Sequence, residues 1–384
     1  MTDAPDATTN ASSVDVVVVG AGISGLVTAT RLVAAGLTCV VLESSARVGG
    51  RLLTHHHPSG PLDLGATWFW PGEQRVAALI AELNIPTHAQ HIDGDAVYHA
   101  PGGVQRLDGN PIDVVAGRFS NGAASITDTL AERLGERVWL TAPVHRIDNS
   151  GDRMIVHHQR GSHVACHVVL ALPPSLAVHH IEFQPALDDH IHDLAAATPT
   201  WMGNIAKAVI VYPDAFWRGQ GLAGAAISHT GPLREVHDMS GPDAAPAALF
   251  GFAPLAPGVP APSQHDIVAQ LVDLFGPAAA TPLDVIVTDW RPDVRPDTHT
   301  DARPDRDNRA TGTPTHTYGH RLYQHSQGGC RLHWASTETA PTMPGHIEGA
   351  LGGAQRAVDA ITTAITTAIT TAATTDPLSV GPST

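Results

Sequence analysis

Val16 to Val19 is an unbroken run of valines that ends in the glycine-rich stretch Gly20-Ala-Gly22-Ile-Ser-Gly25. A continuous β-branched run is the pattern of a strand buried on both faces, and glycines at its carboxyl end mark a strand that must turn into a helix. Leu26 to Ala35 supplies that helix, and Thr38 to Leu42 is a second apolar run that stops at Glu43. Helical spacing of apolar positions predicts further helices at Val76 to Leu83, Gly122 to Leu134 and Gln264 to Phe275. Short apolar runs predict strands at Val138 to Leu140, Val144 to Ile147 and Met154 to His158, the last leading to Val168-Val-Leu-Ala-Leu-Pro173-Pro174. Ile205 to Val211, Ala247 to Phe252 and Val285 to Trp290 read as strands of an antiparallel sheet flanked by helices. Arg291 to Pro314, rich in Pro, Asp, Arg and Thr, reads as a long loop, and Ile347 to Ala360 as a helix. The repeat Ala360-Ile-Thr-Thr-Ala-Ile-Thr-Thr-Ala-Ile puts isoleucines on one stripe and prolongs that helix toward a disordered end.

The order strand, glycines, helix, strand, acid within about thirty residues is that of a dinucleotide-binding βαβ unit. Gly20 permits the tight turn, Gly22 lets the backbone approach a pyrophosphate, and Gly25 allows close helix–strand packing at a helix N-terminus whose free N–H groups suit an anion. Glu43 is placed to accept from a ribose hydroxyl.

Gly49-Gly50-Arg51, following this unit, resembles FAD enzymes of the glutathione-reductase-like superfamily. Asp63-Leu-Gly65-Ala-Thr-Trp68, Arg331-Leu-His-Trp-Ala-Ser336-Thr337-Glu338-Thr339 and Gly345-His346-Ile347-Glu348-Gly349-Ala350 resemble motifs of the flavin amine oxidases, the monoamine oxidase-like family. The resemblance implies an α/β fold: a discontinuous FAD-binding Rossmann domain (14–75, 118–194 and 299–365) with an inserted α+β substrate domain (76–117 and 195–298). It sets FAD against Gly20, Gly22, Ile23, Ser24 and Gly25, then Glu43, Ser44 and Arg47, then Gly49, Gly50 and Arg51. Gly65, Ala66, Thr67, Trp68, Val144, Thr337, Glu338, His346 and Ile347 complete the set, with the Ile347 backbone at the pyrimidine end of the flavin. A helix beginning near His346-Ile347 would turn its positive end toward the reduced ring.

Lys207 is the only lysine, against 21 arginines. A single retained ammonium in the apolar strand Ile205 to Val211 points to a place that needs a compact, titratable group, although a lone lysine is also an ordinary surface residue. The resemblance makes Lys207 the lysine that holds a water at flavin N5, with Trp68 and His346 lining the cavity. The implied activity is oxidation of an amine to an imine by hydride transfer to N5, with dioxygen returning the flavin and yielding hydrogen peroxide.

The chain departs from the family in three places. Residues 76–117 are shorter than the family's cover over the substrate, which implies an open site, a covering partner or a bulky substrate. Of the two aromatic rings that flank the amine in relatives, one position is His346 and the other falls near His299-Thr300, where no aromatic is evident; Tyr318 or Trp68 are the alternatives. Gly328-Gly329-Cys330 has the letters of a covalent FAD attachment but stands about thirty residues late, so non-covalent FAD is expected. A desaturase or L-amino-acid oxidase on this fold, with Arg75 or Arg218 holding a carboxylate, and a non-catalytic FAD-binding partner protein remain as alternative readings.

A formal charge of −15 opposes a nucleic-acid or anionic-membrane surface. Three widely spaced cysteines, Cys39, Cys166 and Cys330, suit a reducing cytoplasm, and no basic-then-apolar leader opens the chain. The 24 histidines lack ligand spacing, so they read as surface polar groups whose charge climbs below about pH 6.5, with no metal. Residues 1–13 and 366–384 read as disordered tails, the partners as a small amine and O2, and a homodimer stays open.

Overall fold

The computed structural model describes residues 12–256, 258–291 and 316–375, with side chains to residue 367. The Arg291–Pro314 loop from residue 292, His299-Thr300 and the outer parts of both tails lie outside the described residues.

The valine run becomes the strand Ser12–Val19, parallel to Cys39–Leu42 on one side and to Gly161–Leu170 on the other. Around these the sheet runs Val138–Trp139, Cys39–Leu42, Ser12–Val19, Gly161–Leu170, Met154–His158, Val144–Asp148, Glu182–Gln184. Leu332–Trp334 pairs in parallel with the carboxyl end of Gly161–Leu170, so the C-terminal motif enters the same sheet. Gly161–Leu170 starts earlier than the apolar run at Val168: Gly161 to Ala165 forms a hairpin with Met154–His158, and the stretch before Val168 buries two histidines, His163 and His167. A strand whose inward positions are histidine looks polar in sequence.

One face of this sheet is covered by the helices Ile23–Ala34, Ala124–Leu134 and Ile347–Thr375. Helix Gln74–Leu83 joins them through Val76, Leu79 and Leu83, so the 76–117 segment divides, its first part packing with the nucleotide-domain core. Ile347, Leu351, Ala354, Val358 and Ile361 form the buried stripe of the C-terminal helix, which continues past residue 366 as a helix rather than a tail. Gly353 lets that helix approach the chain: a Cβ there would stand 2.6 Å from the Ala335 carbonyl oxygen.

The second sheet runs Asp284–Asp289, Ile205–Tyr212, Ala247–Pro254, Glu235–Asp238, Leu222–Ser228, Asp95–Ala100, Gly103–Arg106. It is antiparallel except where Leu222–Ser228 lies parallel to Asp95–Ala100. Helix Gln264–Phe275 packs Ile267, Leu271 and Leu274 on its outer face, against Ala208, Ile210 and Leu249. Side chains alternate along a strand, so Val209, Val211, Ala248 and Phe250 point the other way, onto Leu62 and Leu64 beside the Thr54–His57/Gly60–Asp63 hairpin. Lys207 shares the parity of Val209 and Val211, which sets it on this inner face.

Six histidines depart from the surface reading. His99, His158, His163, His167, His237 and His333 are buried, with His158 and His163 3.1 Å apart and His167 and His333 3.3 Å apart, ring nitrogen to ring nitrogen. Burial pushes His158 down to about 4 and His333 to about 3, in each case with repulsion from the neighbouring histidine adding to it. Both therefore stay neutral in the folded protein where the unfolded chain, at about 6.5, takes up a proton. The unfolded state binds more protons between those values, so stability falls as pH drops from about 6.5 to about 4. The urea midpoint, measured across that range, is expected to decline steadily, and His167→Leu/His333→Leu to decline less steeply.

Candidate active site

The glycine turn is built from three different constraints. Gly20 has φ +104°, and a Cβ there would stand 2.9 Å from the Ala171 carbonyl oxygen. A Cβ on Gly25 would overlap the Gly20 carbonyl oxygen, so no other residue brings this helix so near its strand. Gly22, with φ −71°, has nothing within 4 Å of its Cβ position. Helix Ile23–Ala34 starts there without a side-chain cap or an acid in its first turn, which leaves backbone N–H groups facing open space. Gly49 donates its N–H to the Ala21 carbonyl at 2.9 Å, bringing Gly49-Gly50 alongside Gly22. Glu43 accepts from the Ala21 N–H at 2.7 Å and the Ser45 N–H at 2.9 Å, with the Ser44 hydroxyl at 3.2 Å. Arg47 donates to the Gly50 carbonyl at 2.9 Å, and Val144 opens its strand opposite His158. Two of the anticipated cofactor residues turn their side chains elsewhere and present only backbone N–H groups at the helix N-terminus: Ile23 packs in the core, and the Ser24 hydroxyl donates to the Ala335 carbonyl.

Arg51 reaches across the chain to Glu338, with N···O distances of 2.6 and 3.2 Å. Glu338 is 0% exposed; burial alone would raise its carboxyl, but the charge and hydrogen bonds of Arg51 and the Trp201 N–H hold it below the usual range. Thr337 accepts from the Gly345 N–H at 2.8 Å and donates to the His346 carbonyl at 2.9 Å, fixing the turn before the C-terminal helix. Ile347 begins that helix, and His346 bonds through Nδ1 to Glu73 at 3.0 Å.

Lys207 is 2% exposed. Its ammonium donates to the Gly65 carbonyl at 2.9 Å and to the Thr67 hydroxyl, and lies 4.3 Å from the centre of the Phe250 ring. Burial pushes its pKa down to about 7; Asp63 works against the fall and Arg118 adds to it. Trp68 packs 5.1 Å from Phe250, and Trp70 6.1 Å from Trp68 and 4.7 Å from His346. A continuous line of rings thus joins Lys207 to the start of the C-terminal helix.

Arg118, Trp70, His237 and Phe250 escaped the sequence reading, and Asp63 entered it only as the first residue of a family motif, with no role. The repeat Trp68-Phe-Trp70 and the alternation Phe250-Gly-Phe252 were the available signals, but neither says which face meets the lysine. Tyr318 instead lies 6.3 Å from Trp201 and donates to the Pro199 carbonyl at 2.9 Å. The two carboxylate-anchor arginines are engaged: Arg75 with Glu348 at 2.9 Å, Arg218 with both oxygens of Asp238 at 2.8 and 3.0 Å. Cys330 is exposed at the amino end of its strand Leu332–Trp334, whereas Gly20 and Glu43 follow the carboxyl ends of parallel strands in the same sheet. Among the described residues no group of three His, Cys, Asp or Glu side chains could hold a metal ion, and no helix is long and apolar enough to cross a membrane.

Similarities to known proteins extend over most of the chain. A protein of Mycobacterium tuberculosis provisionally named flavin-containing monoamine oxidase AofH is 29% identical over 451 aligned residues, covering 90% of this chain and 96% of its own. The putrescine oxidase of Kocuria rosea is 27% identical, over 62% of this chain and 72% of its own. The structure of cyclohexylamine oxidase from Brevibacterium oxydans matches with a TM-score of 0.78 at 23% identity, covering 92% of this chain and 99% of that one, a likeness of fold. The family model described as flavin containing amine oxidoreductase matches residues 23–120 and 113–362. With its glycine pair Gly49-Gly50, its buried lysine and its C-terminal motif all inside that match, the chain belongs to the flavin-containing amine oxidoreductase family.

Proposed function

We propose that this chain oxidises a small amine lacking a carboxylate, with Lys207 as the group that exchanges a proton beside the reacting centre. The observation that carries this reading is an ammonium buried against Phe250 yet brought to about 7, a combination that marks functional sites more often than structural ones. It also weighs against a purely non-catalytic flavin binder. The engagement of Arg75 and Arg218 with acids weighs against an amino acid as substrate.

FAD suits the residues that are present. The open Cβ position at Gly22, the uncapped helix N-terminus behind it and the glycine pair beside it form a cradle for a pyrophosphate, and Glu43 stands at the adjoining strand end for a ribose. Gly65 to Trp68, Val144, Thr337, Glu338, His346 and Ile347 would border the rest, with Cys330 apart from it, in keeping with non-covalent binding. When bound, FAD supplies the two-electron oxidation of the amine to an imine and the return of those electrons to dioxygen as hydrogen peroxide.

The protein's own contribution centres on Lys207 Nζ. An ammonium has three N–H donors, and two are committed to Gly65 and Thr67. The third would hold a water or oxygen beside the bound flavin. As pH rises through about 7 the amine becomes neutral and keeps two N–H groups, enough for the same two partners, with a lone pair left to accept a proton. Trp68, Trp70 and His346 would form the apolar side of the site. The unpaired Cys39, Cys166 and Cys330 favour the cytoplasm as the place of action.

Anaerobic mixing with primary, secondary and polyamines and with amino acids tests the activity. Bleaching of the flavin by amines, with recovery and peroxide on aeration, is expected; bleaching by amino acids alone would transfer the reading to an amino-acid oxidase. Lys207→Met is expected to slow reoxidation by roughly a hundredfold and to abolish its decline as pH rises through about 7; wild-type reoxidation rates in stopped flow would remove the lysine from the mechanism. The two helix-turn glycines are expected to separate. Gly22→Ala should leave the melting temperature of the apoprotein unchanged and weaken FAD retention, whereas Gly25→Ala should destabilise the apoprotein itself by about 1–3 kcal/mol.

A further inference from the structure

Two histidine–carboxylate pairs bracket the Trp68-Phe69-Trp70 segment. One is His346 with Glu73, against Trp70. The other, His237 with Asp113, is buried on both sides and lies against Trp68.

His237 stands on the face of the second sheet that carries Lys207. Lys207 pairs with Phe252, and Phe252 with Glu235; in the next row Val209 pairs with Phe250, and Phe250 with His237. With strands about 4.8 Å apart, the His237 backbone is two strands, or roughly 10 Å, from the lysine strand. The imidazole stacks on Phe250 at 5.2 Å and meets the Trp68 indole at 84° and 5.0 Å. Its Nδ1 is 2.6 Å from Asp113 Oδ1, and the Glu235 carboxylate lies 3.6 Å from Nε2. Asp113 is itself fixed, its other oxygen accepting from Asn110 Nδ2 at 2.9 Å and its N–H donating to Asn110 Oδ1 at 3.1 Å.

Trp68 needs such support. Its indole N–H donates to Gln90 Oε1 at 2.8 Å, and Gln90 donates in turn to the Asp238 carbonyl at 2.8 Å. One hydrogen bond fixes one point of a planar ring; the ring pivots about it unless its flanks are filled. Phe250 fills one flank and His237 another, and the Asp113 bond sets the imidazole's own rotation. Replacing a buried histidine–carboxylate contact of this kind by apolar side chains of the same volume is often neutral or stabilising, so the pair is better explained by the orientation it imposes.

We propose that His237, fixed by Asp113, is a positioning residue that holds the Trp68 indole as a wall of the amine site beside Lys207. This rests on the oxidase reading above for its consequence in catalysis, but the orientation of Trp68 is measurable without it.

The test uses holoprotein carrying His237→Leu, His237→Gln, Asp113→Asn or, as reference, Trp68→Phe. Near-ultraviolet circular dichroism, taken as wild type minus variant, is expected to show for His237→Leu the same band that Trp68→Phe removes, and a smaller one for Asp113→Asn. Anaerobic reduction by an amine should show an apparent Kd raised roughly tenfold or more, while reoxidation by dioxygen after dithionite reduction stays at the wild-type rate. His237→Gln, which keeps a polar donor toward Asp113, should recover part of the Kd. An unchanged dichroism band, an unchanged Kd, or equal losses in reduction and reoxidation together with a lowered melting temperature would each overturn the proposal. If His237→Leu does not fold, Asp113→Asn and His237→Gln decide by the same readings. If no amine reduces the wild-type flavin, the oxidase reading fails, and the dichroism band alone then decides whether His237 positions Trp68.

Discussion

A carboxylate sealed from water sets the frame of the site. An unpaired charge in such a place costs several kcal/mol, and Glu338 avoids that cost only because Arg51 meets it with two nitrogens and the Trp201 N–H adds a third donor. Arg51 and Glu338 are 287 positions apart, so their pairing brings the loop after the glycine pair against the turn before the C-terminal helix. The consequence reaches the lysine through the backbone. The Arg51 carbonyl accepts from the Ala66 N–H at 3.0 Å, and Gly65 lies so close to that carbonyl that a side chain there would overlap it. Gly65 and Thr67 are the acceptors for Lys207. A guanidinium at one end of this path and an ammonium at the other are thus held by the same short stretch of chain.

The electrostatics of that stretch are arranged around two buried groups besides the lysine. Asp63 is raised by burial, against the pull of Arg118 and its hydrogen bonds from the Ala123 N–H and the Thr54 hydroxyl. Arg118 is lowered by burial, Asp63 and Asp238 opposing the fall, and it donates to the Ser240 carbonyl at 2.9 Å. Lys207 lies within the fields of both. Its nearest neighbours are an aromatic face and two neutral oxygens rather than a carboxylate, and desolvation therefore dominates. Had Asp63 touched the lysine directly, the ammonium would have been retained at all working pH values.

Much of the cofactor half was readable from the chain because it is local. Val16 to Glu43 is a single βαβ unit, and Gly25 is required by the Gly20 carbonyl oxygen in the same turn, whereas the Ala171 carbonyl that crowds Gly20 comes from a strand exit distant in the chain. Helix Gln264–Phe275 was read at its true ends, since Ser263 caps it and Gly276 follows it. Strand Leu222–Ser228, made largely of small residues, and the histidine-bearing half of Gly161–Leu170 carried no such signal. The resemblance sets Ser24 against FAD, and the Ser24 hydroxyl is committed to Ala335, a partner more than three hundred residues away.

The amino-acid sequence by itself determined the βαβ unit, the parity that gives Lys207 the same face as Val209 and Val211, and the family motifs around Arg51 and Glu338. Those features rest on neighbours in the chain or on strand alternation, which are short-range and periodic. The tertiary structure alone decided what surrounds the lysine: Phe250 beneath it, Gly65 and Thr67 as acceptors, and Trp68 held between Gln90 and His237. Each of those contacts joins segments separated by tens to more than a hundred residues, and the cost of burying an ammonium there depends on all of them at once.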